Sequence, residues 1–262
     1  MLKGIAKKIG GVFGPQSRTP VLRSAGFCTT CTREVEFVAR DPWLRDFFLC
    51  SNCGSIPRER ALMAVIDAWF PHWRELAIHE SSPSSRGASL RLASECARYM
   101  ASQYYANREP GSIVNGIRCE NLEALSFADA SIDLHVTQDV MEHVFDPAQV
   151  CREIARTLKP GGAHVFTVPL VNKHAASKRR ARLEADGTIT HLDTPVYHGN
   201  PVSEEGSLVT VDWGYDICRH IFEACGLFTH VVQIDDLSRG IRADLIEVLV
   251  TVKPANGSAL PV

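Results

Sequence analysis

With 262 residues and a formal charge of −2, the chain lacks the basic excess of a general nucleic-acid binder. Its 45% apolar and 22% charged residues suit a mid-sized globular domain with a small appendage, and no apolar run approaches the roughly 20 residues that span a bilayer. Nine cysteines are an odd number, which argues against a closed disulfide framework and fits a reducing, cytoplasmic setting with a metal site.

In chain order, residues 1–23 read as a flexible tail. Its start, MLKGIAKKIGGVFGPQSR, is basic and mildly amphipathic but has neither the apolar core nor the cleavage site of a signal peptide. Residues 24–57 read as a zinc ribbon. Cys28-Thr-Thr-Cys31 and Cys50-Ser-Asn-Cys53 stand eighteen residues apart, the spacing at which two C-x2-C turns present four thiolates to one tetrahedral zinc. Gly54 allows the tight turn after the second pair, and Val35, Phe37, Val38, Phe47 and Phe48 supply two short strands. Four protein ligands leave no open position, so the expected metal is structural, with partner docking as a further use. Cys96, Cys119, Cys151, Cys218 and Cys225 are scattered and read as core thiols.

Residues 58–254 change character. Leu62, Val65, Ile66 and Trp69 recur at helical spacing until Pro71. Strand text follows at 76–80, a Ser/Pro/Gly turn at 81–87, a helix from 88 to about 96, and strand text at 99–105. Further strands are expected at 132–137, 163–168, 228–234 and 245–252, with helices at 147–158 and 215–225, the latter closed by Gly226. Alternating strands and helices imply an α/β, doubly wound parallel sheet with ligands at its carboxyl edge. Residues 172–210 break the alternation and read as an insertion over that edge, and 255–262 as a tail.

Motifs from about residue 76 to 170 carry a resemblance. Asn121-Leu-Glu-Ala-Leu-Ser-Phe-Ala-Asp-Ala-Ser-Ile-Asp133 leads into Asp139-Val-Met-Glu-His143-Val-Phe-Asp-Pro147, then Leu158-Lys-Pro-Gly-Gly162 and Phe166-Thr-Val-Pro169. In order and spacing this resembles class I S-adenosylmethionine-dependent methyltransferases of the type 11 kind. The resemblance implies a Rossmann-like seven-stranded sheet and S-adenosylmethionine as methyl donor. It places the donor against the Glu80, Ser81 and Ser82 turn, with Gln103 at the ribose and Asn121 and Leu122 at the adenine. Two departures stand out. The family's glycine-rich first loop is here His79-Glu-Ser-Ser-Pro-Ser-Ser-Arg-Gly87, and amides replace the usual acids at 103 and 121.

Asp139, Glu142 and His143 are the catalytic candidates. Their D-x-x-E-H spacing is similar to the E-x-x-E-H of ubiquinone-biosynthesis and small-RNA O-methyltransferases, where it holds a divalent metal. On a helical turn these three positions share one face. Two mechanisms stay open: magnesium or manganese at the three residues lowering an acceptor hydroxyl's pKa, or His143 alone as base. His191, Tyr197 and His198 are candidates for the acceptor pocket. The basic run Lys173, Lys178, Arg179, Arg180 and Arg182 reads either as a phosphate-attracting patch or as a solvated face. The expected activity is methyl transfer to oxygen or nitrogen of a small molecule or glycan precursor. The rival reading is a catalytically silent methyltransferase-like module whose ribbon docks a partner.

Overall fold

The computed structural model describes residues 19–200 and 203–255; segments 1–18 and 256–262, which hold most of the expected tails, lie outside the described residues. The N-terminal module is a three-stranded antiparallel sheet, β1 (Leu22–Cys28), β2 (Arg33–Ala39) and β3 (Phe48–Cys50), with the one-turn helix α1 (Leu44–Phe47) before its last strand. Its small core is Phe37, Ala39, Phe48 and the inner cysteines, and all four cysteines of the two turns meet at one end.

The remaining chain builds one large mixed sheet. After α2 (Pro57–Trp69) come β4 (Ile78–Ser81), α3 (Gly87–Glu95), β5 (Tyr99–Gln103), β6 (Ile113–Val114), β7 (Ile117–Cys119), β8 (Ile132–Gln138), α4 (Pro147–Thr157) and β9 (Leu158–Thr167). Short hairpins follow, made by β10 (Lys178–Arg179), β11 (Ala181–Leu183), β12 (Ile189–His191), β13 (Tyr197–Asn200), β14 (Ser203–Leu208) and β15 (Val211–Asp212). The chain then returns to the sheet through α5 (Ile217–Cys225), β16 (Thr229–Val232) and β17 (Val248–Val252). The order across the sheet is β16-β17-β9-β8-β4-β5-β7-β6. The five strands β7, β5, β4, β8 and β9 are parallel, while β17 runs antiparallel between β9 and β16.

Helix ends follow local chemistry. Pro57 and Pro147 open α2 and α4, where the missing N–H costs nothing. The Asp146 side chain accepts from Gln149 N at 2.9 Å, capping α4, and Gly226 closes α5 in the left-handed region. Helices α2 and α3 cover one face of the sheet, packing Leu62, Ile66 and Leu92 on Ile78, Leu134, Val136 and Val165. Helices α4 and α5 cover the other with Val150, Ile154, Ile217 and Ile221 against Phe166 and Leu249. The sheet is thus wound on both sides, as the alternation implied.

It has eight strands where seven were expected, because the two-residue β6 adds an edge. Strand β7 lay where the sequence offered only three residues of strand text, too short for a period to register. Strand β9 starts five residues before the expected 163, passing through Pro160 and the glycine pair with a register shift against β8.

Three histidines form a polar row through the middle of this sheet. His79, His135 and His164 are register partners on β4, β8 and β9, exposed by 0%, 0% and 4%. The Nδ1 atoms of His79 and His135 lie 2.9 Å apart, so one donates and the other accepts. Ser102, Thr157 and Thr137 hydroxyls satisfy the Nε2 atoms of His79, His135 and His164 at 2.8, 2.8 and 3.0 Å. Burial, with Arg118 near His79 and His79 near His164, holds His79 and His164 down at about 3, and burial holds His135 well below its ordinary value. The fold therefore binds these rings neutral, while an unfolded chain protonates them below about pH 6.5. Stability should be intact at pH 7 and fall as pH drops from about 6.5 toward 3. Near pH 5 the loss should be on the order of 2 kcal/mol for each of His79 and His164. Urea unfolding at pH 7.5 and pH 5 checks this, and a pH-independent midpoint would contradict it.

Candidate active site

The N-terminal module is bound to the sheet by three buried arginines. Arg60 of α2, 0% exposed, donates Nε and Nη2 to Gly240 O at 3.1 and 2.7 Å, Nη2 to Phe48 O at 2.7 Å, and Nη1 to Ser55 O. Its guanidinium also lies 4.7 Å from the Phe37 ring centre. Arg91 of α3 reaches Thr29 O at 2.7 Å and Asp67 at 2.6 Å. Close backbone approach seals the seam: a Cβ on Gly26 would lie 1.8 Å from Ser238 O, and one on Gly240 would lie 2.5 Å from the Phe37 ring.

The third arginine enters a cavity. Arg45 of α1 donates Nε to Leu245 O at 2.9 Å and Nη2 to Asp139 Oδ2 at 2.7 Å. Arg58 Nε lies 3.2 Å from the same oxygen, and Thr167 Oγ1 donates to Asp139 Oδ1 at 3.1 Å. Burial alone would raise the Asp139 carboxyl, but the two guanidiniums, Arg45 foremost, hold it far below the usual carboxylate range. The cavity, of about 540 Å³, lies past the ends of β4, β5 and β8 and is lined by Arg45, Arg58 and Asp139 together with residues from four loops.

Ser81, Ser82, Gln103, Asn121, Leu122, Asp139 and His143 of the expected site all line it. Ser82 adopts φ 57, a left-handed conformation that costs a non-glycine residue about 1 kcal/mol and that the family's loop would give to glycine. Ser84 and Ser89 brace the loop, Ser89 Oγ accepting from Ser84 N at 2.9 Å. Asn121 Oδ1 accepts from Glu123 N at 2.9 Å, closing a local turn. Glu80 is not in the cavity. It is 0% exposed, and its carboxylate accepts from Ser89 at 2.7 Å, Tyr99 at 2.7 Å and Gln138 at 2.9 Å. Burial raises its pKa, opposed by those three bonds.

The expected Asp139, Glu142 and His143 trio does not form. Residues 139–145 make turns, not a helix, so the i, i+3 and i+4 positions share no face, and Asp139 is turned to the arginines. In its place Glu142, His143 and His198 meet, with one donor atom from each lying within 4.8 Å of the others. Glu142 is 1% exposed, and neither carboxylate oxygen has a hydrogen-bond partner among the described residues. His143 Nδ1 donates to Leu208 O at 2.9 Å; a neutral ring then leaves Nε2 as a bare acceptor, 3.7 Å from Glu142 Oε1. His198 Nδ1 is 3.6 Å from the same oxygen. A positive charge, either a proton on one of the imidazoles or a bound cation, would answer the lone pairs that face each other at this range.

Of the acceptor candidates, His198 lines the cavity, whereas His191 and Tyr197 are exposed and do not. The basic run is dispersed by pairing. Lys178 and Arg180 engage Asp193, Arg180 also Asp212, and Arg179 donates to Phe145 O at 2.7 Å. Arg45, Arg58, Tyr104, Glu120 and Glu123 line the cavity without having been foreseen. Tyr104 is legible as one of two aromatics at the strand end; the arginines carry no local signal.

Known proteins bear on this arrangement. Residues 91–166, which run from within α3 to β9, match the family described as "Methyltransferase domain". A 50-residue stretch is 48% identical to a dimethylglycine N-methyltransferase of Parasynechococcus marenigrum, covering 19% of this chain and 18% of that protein. A 53-residue stretch is 43% identical to a probable S-adenosylmethionine-dependent methyltransferase of Mycolicibacterium smegmatis, covering 20% and 21%. The chain thus matches about a fifth of the length of these curated relatives. Among solved structures, an S-adenosylmethionine-dependent methyltransferase from Mesorhizobium loti is similar at TM-score 0.47 and 17% identity, covering 73% of this chain and 97% of that one. The family match over residues 91–166, together with the two short relatives, marks a methyltransferase domain in this part of the chain.

Arg45 ties module to cavity, and its removal should be felt in both. Arg45→Ala strips Asp139 of its nearest counter-charge inside the protein, which should cost on the order of 3 kcal/mol of stability. Guanidinium unfolding of the variant measures it; a wild-type midpoint would show that Arg58 alone suffices.

Proposed function

We propose that the chain transfers a methyl group from S-adenosylmethionine to an oxygen or nitrogen of a small molecule or glycan precursor bound beside it. One observation carries this reading. The methyltransferase match covers β5 to β9, and the cavity lies at the carboxyl ends of that same sheet, where such folds hold ligands. Its volume of about 540 Å³ suits a nucleoside-sized group. Ser81 and Ser82 would flank the donor's amino-acid end, Gln103 the ribose, and Asn121 with Leu122 the adenine. The Asn121 amide and the second lone pair of its oxygen remain available after the local turn bond.

The acceptor would lie near His143 and His198. The bare Nε2 of His143 can take a proton from it directly. A divalent magnesium or manganese ion, bound by Glu142, His143 and His198, would lower an acceptor hydroxyl's pKa. The orphaned oxygens of Glu142 favour the metal version, and Asp139, neutralised by Arg45 and Arg58, is removed from it.

The cysteine cluster fits zinc. Sulfurs at about 2.3 Å from a tetrahedral ion are about 3.8 Å from one another. The Cys28–Cys53 and Cys31–Cys50 pairs are each 3.8 Å apart. Four thiolates with zinc carry about two net negative charges. The buried Arg60 stands one hydroxyl away, since Ser55 Oγ meets both its Nη1 at 3.2 Å and the sulfur of Cys53 at 3.2 Å. Elemental analysis of reduced protein should give one zinc per chain, lost in Cys50→Ser. A manganese titration followed by electron paramagnetic resonance should find one further site, absent in His198→Ala. Zinc-free protein, or manganese binding that survives His198→Ala, would reject the respective site.

The silent-module reading is favoured by Ser82, strained where the family has glycine. Calorimetry with S-adenosylhomocysteine separates the two. Binding is expected, and Asn121→Ala should weaken it by about 1 kcal/mol, roughly fivefold, the scale of one net hydrogen bond. No heat of binding would leave the silent module standing.

A further inference from the structure

A second cavity, of about 590 Å³, shares no lining residue with the first. Arg45 bonds residues of both: its Nε donates to the carbonyl of Leu245, which lines the second cavity, and its Nη2 to Asp139, which lines the first. This second space is lined by Trp43 from the N-terminal module and by Tyr215, Gln233 and Glu247 from the sheet's far edge. Its charges are uneven in consequence. Asp235 is bound twice by Arg242, at 2.5 and 2.9 Å, and Lys173 stands loosely by Asp244 at 3.9 Å, both largely exposed. Glu247 is left over.

Glu247 is 8% exposed. Its Oε1 accepts from Tyr215 OH at 3.0 Å, and that hydroxyl in turn accepts from Gln233 Nε2 at 2.8 Å. Its Oε2 is buried and has no partner among the described residues. A buried carboxylate oxygen without a donor is a costly arrangement that a bound N–H would relieve. A bare metal ion fits poorly, since Glu247 belongs to neither cluster of three or more metal-type donors among the described residues. The two aromatic side chains and the volume suit an organic body, and aromatic walls beside a carboxylate are a setting for an ammonium group.

We propose that this cavity is a second ligand site, which takes a small organic amine whose ammonium group pairs with the Glu247 carboxylate and whose body lies against Trp43 and Tyr215. The site is distinct from the cavity assigned to S-adenosylmethionine and does not depend on that assignment.

The test uses the full chain and a panel of small primary, secondary and quaternary alkyl- and arylamines, benzylamine among them, with the matching alcohols as neutral controls. Binding is read from the indole N–H resonance of Trp43. At least one amine should shift that resonance saturably, its alcohol should not, and Glu247→Gln should weaken the amine tenfold or more. Should Glu247→Gln fail to fold, Trp43→Leu, read by calorimetry, should weaken the same amine at least threefold. S-Adenosylhomocysteine titrated into Glu247→Gln reports on the first cavity separately and should behave as with wild type. A panel with no binder, an alcohol that binds as well as its amine, or undiminished amine binding in the variants would overturn the proposal.

Discussion

A guanidinium with no water around it needs every N–H answered, and Arg60 sets the terms on which the two parts of this chain meet. Burial lowers its pKa to about 10, and the cysteine sulfurs, Cys28 first, pull the other way. Three carbonyls, from Phe48, Ser55 and Gly240, come from three segments that would otherwise have no reason to converge. Removing any of them leaves a charged donor unsatisfied in the interior, which costs far more than one surface hydrogen bond contributes. The cysteine module is therefore a wall of the larger domain and not a bead on a string.

That wall shapes the chemistry. Because α1 is held in place by the cluster and by Arg60, Arg45 can be delivered to the end of β8, where it claims Asp139. With Asp139 held by two guanidiniums, Glu142 is the carboxylate beside the two imidazoles, and neither of its oxygens has a hydrogen-bond partner among the described residues. The residue that completes this group, His198, comes from the hairpins between β9 and α5. Three parts of the chain that look independent in sequence thus each contribute one element of the same pocket.

Much of the sheet was legible because its signals are local. Proline before α2 and α4, glycine after α5, and apolar periodicity in the helices sit in the residues that form those elements. Ser81, Ser82, Gln103, Asn121 and Leu122 were expected from motif order, which tracks strand ends, and all five line the first cavity. What failed was everything decided by distant partners. Nothing in the text around Asp139 announces an arginine ninety-four positions earlier. Glu80 was expected against the donor at the end of its strand but is drawn inward by Ser89, Tyr99 and Gln138. The histidine row needed the strand register before its members became neighbours, and β7 was too short to show a period.

The seam between β1 and the 236–241 turn has a consequence for how the chain is made. Ser24 Oγ donates to Leu237 O, 213 positions away, and Arg60 reaches Gly240 across 180. A ribosome releases the cysteine turns well before the backbone they must close against, which follows some two hundred positions later. Contacts of such separation are slow to form, and a nascent chain spends that interval with the Phe37 and Phe48 face uncovered. The cysteine module is therefore finished only when a turn some two hundred positions further along the chain has reached it.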